Sequence, residues 1–153
     1  MKTGEKMYEF SFKCAAVPES ISLIDNLIEL TIKRLHNCNY KKVCFAIHEL
    51  VINSIDAMNK NGQSSKQLSI SLVCSKQYVL FSINDFGGGL PSNILNNLHS
   101  NNLDSLGLNE SGRGLALIKM FVDSLTYNEE NDGSFTYKIV AYMDNEVKGQ
   151  NNG

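Results

Sequence analysis

The chain has 153 residues, the usual length of one domain, and its apolar fraction of 42% allows a sizeable buried core. A net charge of −2 gives no strong attraction to nucleic acid or anionic lipid, no apolar run is long enough to span a bilayer, and the N-terminal MKTGEKMYEFSF has no signal-peptide pattern. These features predict a cytoplasmic protein that binds neither nucleic acid nor a membrane directly.

The first half of the chain carries three strand patterns and two helix patterns. Apolar residues alternate in the strand segments and recur at helical spacing in the helix segments. In chain order these segments are strand MYEFSFKC, helix PESISLIDNLIELTIKRLH, helix KKVCFAIHELVINSIDAMN, strand KQLSISLVC and strand QYVLFSIN. The last two strands predict a hairpin with a two-residue link at Ser75 and Lys76.

The second half begins with NDFGGGLP and continues through a long polar stretch. Residues 91–111 are rich in Asn and Ser and have no clear period, which favours a functional lid over an accidental loop. GLALIKMFVDSL predicts a short helix, and LTYNE and SFTYKIVAYM predict a final hairpin around Asn131, Asp132 and Gly133. Residues 144–153 form a tail that we expect to be disordered.

The order of these elements predicts the fold class. Strand, two helices, two strands, lid, helix and two strands do not alternate strictly, so we expect an α+β protein. It would be a two-layer sandwich, with a mixed but mostly antiparallel sheet of about five strands and three helices on one face. The chain shows no internal repeat, and residues 1–143 are predicted to form a single domain.

The second helix has an apolar face and an opposite face that carries Glu49, Asn53 and Asp56. Such polar residues most often line a solvated face. Phe45 and Ile52 share that face, however, and a carboxylate and an amide set in an apolar wall also suit the lining of a pocket. On this pattern alone both interpretations stay open.

The glycine stretch after the third strand is a second candidate. Asp85 ends the strand, and Gly87 and Gly89 follow it. Glycine lets the backbone approach a flat ligand and adopt a positive φ, and a carboxylate is a pure acceptor that suits an exocyclic amino group such as that of adenine. The alternative is a simple turn between strands, because an aspartate followed by glycines is common.

The third candidate is SGRGLALIK, in which Gly112 and Gly114 lie at the start of a predicted helix. Unpaired N–H groups and the helix dipole make such a place suitable for an anion, and Arg113 could add a charge-assisted contact to phosphate. The alternative is a helix that merely follows a flexible loop.

The order and spacing of the three motifs are more specific than any one of them. HELVINSIDA, NDFGGGLP and SGRGLALIK resemble the N, G1 and G2 boxes of the GHKL ATPases, the Bergerat-fold family that includes gyrase, Hsp90, histidine kinases and MutL. GSFTYKI resembles the final box of the family. The resemblance covers about residues 8–142 and implies an ATP-binding domain whose long polar stretch is an ATP lid.

At the base end, the resemblance implies that Asp85 binds the adenine amino group. Gly87 and Gly89 would let the backbone close over the base and the ribose side. Ser134 stands where the family often has a hydroxyl near the adenine.

At the phosphate end, the resemblance implies that Glu49 is the general base and that Asn53 ligates Mg²⁺ through its side-chain oxygen. The other residues that it implies at the nucleotide are Asp56, Gly112, Arg113, Gly114 and Leu115.

Within the GHKL family, GRGLALIKMFVDSLTY is most similar to the anti-sigma factor serine kinases of the RsbW and SpoIIAB class. The resemblance implies that ATP is used to phosphorylate a serine on a STAS-domain anti-anti-sigma protein, and that a sigma factor or similar partner is bound. Homodimers are common in that class. His48 superficially resembles the phosphoacceptor of histidine kinases, but we interpret it as a residue on the flank of the helix.

Two other functions stay open. One is a non-catalytic module that binds a partner under the control of ATP. The other is a stand-alone GHKL ATPase or a histidine-kinase-like catalytic domain. Glu49 disfavours the non-catalytic module, because a pure binder would not need a carboxylate there, but one base can serve either serine or water.

Overall fold

The helices and strands follow the predicted order. The computed structural model describes residues 7–36, 40–90 and 110–143, with only the backbone described for residues 110–113. In chain order the elements are β1 (Met7–Ala15), α1 (Pro18–Leu35), α2 (Tyr40–Lys60), β2 (Gln67–Ser75), β3 (Tyr78–Asp85), α3 (Glu110–Phe121), β4 (Ser124–Glu129) and β5 (Phe135–Tyr142). The predicted tail and nearly all of the predicted lid lie outside the described residues.

The five strands form one sheet in the order β1-β2-β3-β5-β4, and every strand pair is antiparallel. The predicted α+β sandwich is therefore confirmed, while the sheet is purely antiparallel over the described residues rather than mixed. Because side chains alternate along a strand, β3 directs Val79, Phe81, Ile83 and Asp85 into the buried layer under the helices.

The core lies between this sheet and the helices. α1 begins at Pro18, a residue suited to the first helical turn, and buries Ile24, Ile28 and Ile32 at a spacing of four. α2 packs between α1 and α3 and also contacts β3, so its faces meet three different neighbours. No helix within the described ranges has both the length and the apolarity that a bilayer crossing requires.

The link between β2 and β3 is one residue later than predicted. β2 continues to Ser75 because that residue still pairs with Met7 of β1, and residues 76–77 then form the link. The Ser75 hydroxyl accepts hydrogen bonds from the backbone N–H groups of Gln77 (3.2 Å) and Tyr78 (3.3 Å). A serine side chain thus stabilises the turn.

α3 begins and ends earlier than predicted. It starts at Glu110 rather than at Gly114, and it ends at Phe121 because the next residues join the sheet edge. The Asp123 N–H donates to the Val140 oxygen at 2.9 Å, and the Asp123 carboxylate accepts from the Tyr142 N–H at 2.6 Å. Pairing with β5 therefore prevails over the helical spacing that would have extended α3.

Candidate nucleotide site

The two faces of α2 are as the sequence predicts. Its inner stripe, which includes Ile47 and Leu50, is buried in the core, whereas Glu49 and Asn53 are only partly buried on the other side. Asp56 is exposed and forms an ion pair with Lys60 at 3.0 Å, so its predicted contact with a nucleotide stays a prediction. Glu49 and Asn53 are the members of this face that border the rest of the site.

Asp85 is a buried carboxylate at the end of β3, and only 1% of its surface is exposed. The Gly87 N–H donates a hydrogen bond to one of its oxygens at 3.0 Å. Burial raises the pKa of Asp85, while the nearby Ser54 hydroxyl and the Gly87 N–H oppose that rise. A carboxylate can accept up to about four hydrogen bonds, so Asp85 retains capacity for a ligand's donor.

The glycines after Asp85 are required for two different reasons. A Cβ on Gly87 would lie 2.6 Å from the Ala57 Cβ, so this glycine allows the loop to touch α2. Gly88 and Gly89 have φ values of 90° and 81°, a backbone region that suits glycine. The predicted positive φ is thus found at Gly89 but not at Gly87, where close packing is the reason. Asn61 reinforces the contact by donating to the Gly87 oxygen.

Tyr127 fixes the end of this glycine loop, and sequence reasoning missed it. Its hydroxyl accepts a hydrogen bond from the Leu90 N–H at 2.8 Å. Its ring stacks on Phe135 with centroids 5.5 Å apart and tilts against Tyr137 at 5.1 Å. A side chain on Gly89 would overlap both the Tyr127 hydroxyl and the Phe135 ring. An aromatic wall therefore stands beside the loop that follows Asp85.

Burial also raises the pKa values of Tyr127 and Tyr137, and the negative charge of Asp85 adds to the rise in both. In Tyr127 the hydrogen bond from the Leu90 N–H opposes the effect. Both tyrosines consequently stay neutral phenols at physiological pH. They supply flat apolar surface beside the loop that follows Asp85, which suits a pocket for a heterocyclic base.

Gly114 joins the third motif to the first. A Cβ on Gly114 would lie 3.3 Å from the Asn53 side-chain nitrogen and 3.5 Å from a Glu49 carboxylate oxygen. The absence of a side chain on α3 therefore leaves room for the polar groups of α2. Because α3 begins at Glu110, Gly112 lies in its first turn, where backbone N–H groups have no partner within a helix, whereas Arg113 and Gly114 follow that turn.

Two predicted residues have other neighbours. The Ser134 hydroxyl donates to Asp132 at 2.5 Å and accepts from Asn84 at 2.9 Å. Asn84 precedes Asp85 on β3 and faces the other side of the sheet, so Ser134 is not brought to the Asp85 carboxylate. Leu115 is buried in the hydrophobic core. Their predicted places at the nucleotide stay predictions, as does that of the Arg113 side chain, which lies outside the described part.

The residues present fit a nucleotide and a hard metal ion. The Asn53 side-chain nitrogen is buried, and among the described residues no group forms a hydrogen bond with it. A buried amide without partners is costly unless a ligand or water completes it. The space beside Gly114 is bordered by carboxylate and amide oxygens, the donors that Mg²⁺ prefers together with phosphate.

Comparison with known proteins agrees with this geometry. A family model described as "Histidine kinase-like ATPase domain" matches residues 10–137, which include all three motifs. A search of curated proteins found no match. Among solved structures, a chain of the SiaB–SiaC complex from Pseudomonas aeruginosa is similar, with a TM-score of 0.58 and 13% sequence identity over 88% of this chain and 89% of that one. At this identity the likeness establishes a shared fold.

Proposed function

The chain belongs to the histidine kinase-like ATPase domain family, and we propose that it is an ATP-dependent protein-serine kinase of the anti-sigma type. It phosphorylates a STAS-domain antagonist in the cytoplasm and binds a sigma factor or a similar regulator as its competing partner. Homodimerisation accompanies this role.

The observation that carries the proposal is the convergence of Glu49 and Asn53 on Gly114. The proposed general base, Glu49, and the proposed metal ligand, Asn53, stand one helical turn apart, and Gly114 leaves space in front of both. A module that only bound ATP would need the Asn53 amide and the glycines, but it would have no use for a carboxylate at the position of Glu49. The arrangement therefore favours catalysis over passive binding.

The residues of the site divide the work of phosphoryl transfer among them. Asp85 holds the adenine by accepting a hydrogen bond from the adenine amino group. Gly87 lets the loop after Asp85 pack against α2. The N–H groups at the start of α3 hold the phosphates. The Asn53 side-chain oxygen would hold Mg²⁺, which would supply charge neutralisation at the phosphates. Glu49 accepts the proton of the attacking hydroxyl, and positioning contributes the rest of the rate enhancement.

Serine is proposed as the acceptor for two reasons. The RGLALIKMFVD segment, which begins in α3, is most similar to the anti-sigma kinases, and the similar chain of known structure occurs in a complex of two proteins. A water nucleophile would make the chain a stand-alone ATPase, and the same carboxylate could serve it. The two activities differ in the final acceptor of the phosphoryl group, which is a protein serine for the kinase and water for the ATPase.

The test is an incubation of the purified protein with Mg²⁺ and γ-labelled ATP, with and without STAS-domain proteins encoded near its gene. We expect label on a serine of one such protein and little free phosphate when it is absent. Rapid release of free phosphate without any protein acceptor would contradict the kinase and identify an ATPase. The same reaction with Asp85→Asn is the blank, because that variant lacks the adenine contact.

A further inference from the structure

Four residues of α2 mark successive parts of the site at intervals of four residues: Ala57, Asn53, Glu49 and Phe45. Ala57 touches the glycine loop after Asp85, and Asn53 and Glu49 border Gly114. Phe45 meets Phe121 of α3 edge to face, with ring centroids 5.5 Å apart. Since four residues of helix rise about 6 Å, the parts follow one another at roughly one turn each.

This order determines the side from which the acceptor must come. In phosphoryl transfer the attacking and leaving oxygens are roughly in line with the phosphorus. With the adenine near Ala57 and the phosphates near Asn53, the leaving group of the transfer points toward the Ala57 end of α2. The acceptor hydroxyl therefore arrives from the opposite end, past Glu49 and across Phe45, which is 37% exposed.

A cavity opens at that end between α1 and α2. Its volume is about 270 Å³, slightly below the roughly 300–1,000 Å³ of small-molecule pockets, so its size suits one side chain better than a whole metabolite. Its walls include Phe45 and Tyr40 from α2 and Ile28 from α1. The Phe45 ring thus borders both the approach to Glu49 and the mouth of this cavity.

The polar lining of the cavity combines two carboxylates with one lysine and one histidine. Asp25 and Glu29 of α1 contribute two carboxylates, and the His48 ring accompanies Asp25 with its Nδ1 at 2.9 Å from a carboxylate oxygen. The pKa of the Cys44 thiol in the same wall is raised to about 12, mostly by burial and further by the negative charges of Glu29 and Asp25. Lys41, whose side chain is exposed, is the cation in this lining.

The aromatic part of the lining also favours a cation. The ammonium of Lys33 lies over the Tyr40 ring at 5.5 Å from its centroid, so this ring already receives a positive charge on one face. Aromatic faces beside carboxylates attract guanidinium and ammonium groups more strongly than neutral ones. Charge and shape together point to a long basic side chain as the occupant.

We propose that the cavity between α1 and α2 receives a lysine or arginine side chain of the protein substrate and so places the acceptor serine at Glu49. This inference rests on the proposed kinase function and adds a substrate preference to it. Phe45 and Glu49 are about 6 Å apart along the helix, and an extended chain advances about 3.3 Å per residue. The basic residue is therefore roughly two positions from the acceptor serine.

The test is a position-scanning library of serine peptides, phosphorylated with Mg²⁺ and ATP by the wild-type protein and by three variants. Glu29→Gln and Asp25→Asn each remove one carboxylate of the cavity. Glu9→Gln is the matched control, because Glu9 is an exposed acid on β1 that alternates with the core-facing Phe10. ATP affinity is measured in parallel for all four proteins.

We expect the wild-type protein and Glu9→Gln to select Lys or Arg near the serine. Glu29→Gln should lower kcat/KM for the basic peptides roughly tenfold, the scale of one charge-assisted hydrogen bond, without changing ATP affinity. Equal phosphorylation of basic and neutral peptides by the wild-type protein would overturn the inference. Failure of the folded wild-type protein to bind ATP would instead overturn the proposed function.

A second measurement does not depend on catalysis. ¹⁵N-labelled protein is titrated with N-acetylarginine amide and with its neutral isostere N-acetylcitrulline amide. Resonances of α1 and α2 should shift with the arginine amide only, and Glu29→Gln should abolish the shift. The same response to both amides, or no response to either, would contradict a basic occupant even if no peptide were phosphorylated.

Discussion

Gly114 of α3 lies so close to Asn53 of α2 that a Cβ on the glycine would be 3.3 Å from the asparagine nitrogen. That contact brings together two motifs that are far apart in the sequence. The contact also distinguishes the effect of the glycine on helix stability from its effect on the site. A helix interior ordinarily prefers alanine to glycine by roughly 0.5–1 kcal/mol. The glycine at this position is therefore explained by the site rather than by the helix.

Gly114→Ala tests that distinction. The added methyl group should leave the free energy of unfolding unchanged or raise it by up to about 1 kcal/mol, because of the helix preference. Mg²⁺-dependent ATP binding should weaken, since the Asn53 side chain must shift slightly to admit the methyl group. Thermal unfolding and calorimetric titration measure the two effects, and unchanged nucleotide affinity would show that the contact has no functional role.

Glu49→Gln removes the proposed base and keeps the shape of the side chain. Proton transfer by a positioned carboxylate contributes about 10²- to 10⁴-fold to a rate, so we expect turnover to fall by that factor while ATP affinity stays within about twofold. Single-turnover kinetics measure the first effect and calorimetry the second. Wild-type turnover in this variant would refute the assignment of Glu49 as base.

Asp85→Asn should have opposite effects on stability and binding. Loss of a charge-assisted acceptor should weaken ATP binding roughly 10- to 100-fold. The nucleotide-free protein should become more stable, because burial disfavours the charged form of Asp85 and the amide oxygen can still accept from Gly87. Glu129→Gln is the control, because it removes the same charge at an exposed position. It should change neither stability nor ATP affinity.

The raised pKa of Asp85 predicts how the free energy of unfolding depends on pH. A carboxyl whose pKa is higher in the folded state stabilises the fold below its unfolded pKa, and this contribution is lost as the pH rises through the folded pKa. The stability advantage of Asp85→Asn should therefore be largest at neutral pH and should vanish toward acid pH. Denaturant unfolding of both proteins across this range measures it, and a constant difference would contradict the buried charge.

Tyr127→Phe deletes only the hydroxyl that accepts from the Leu90 N–H. We expect a loss of about 1 kcal/mol in unfolding free energy and a weaker affinity for ATP, because the loop after Asp85 loses its anchor. Tyr142→Phe is the control, since Tyr142 is exposed at the end of β5. Equal effects of the two substitutions would mean that the Tyr127 hydroxyl does not position the loop.

The elements and their order could be predicted from the sequence because periodicity reports which side of each element is buried. The stripe of α2 is the clearest example, with Ile47 and Leu50 inside and Glu49 outside. Boundaries were less predictable where two patterns compete. α3 ends at Phe121 because Ser124–Glu129 pairs with β5, and nothing local to the helix signals that pairing.

The elements that carry Asp85, Asn53 and Glu49 could likewise be predicted from the sequence, but the reasons for the glycines could not. Gly87 is small because Ala57 lies against it, and Gly114 because Asn53 does, and both are contacts between distant segments. Tyr127 was missed for the same cause. In the sequence it is one more apolar residue of an alternating strand, and only the sheet order brings it to the glycine loop.

The most direct test of the central claim, a Mg²⁺-dependent ATP site built on Asp85 and Asn53, is calorimetric titration of the purified protein with ATP, with and without Mg²⁺. We expect binding with one nucleotide per chain, tighter with Mg²⁺, and a large loss of affinity in Asp85→Asn. Absence of binding by a wild-type protein that circular dichroism shows to be folded, or equal binding by wild type and Asp85→Asn, would contradict the account.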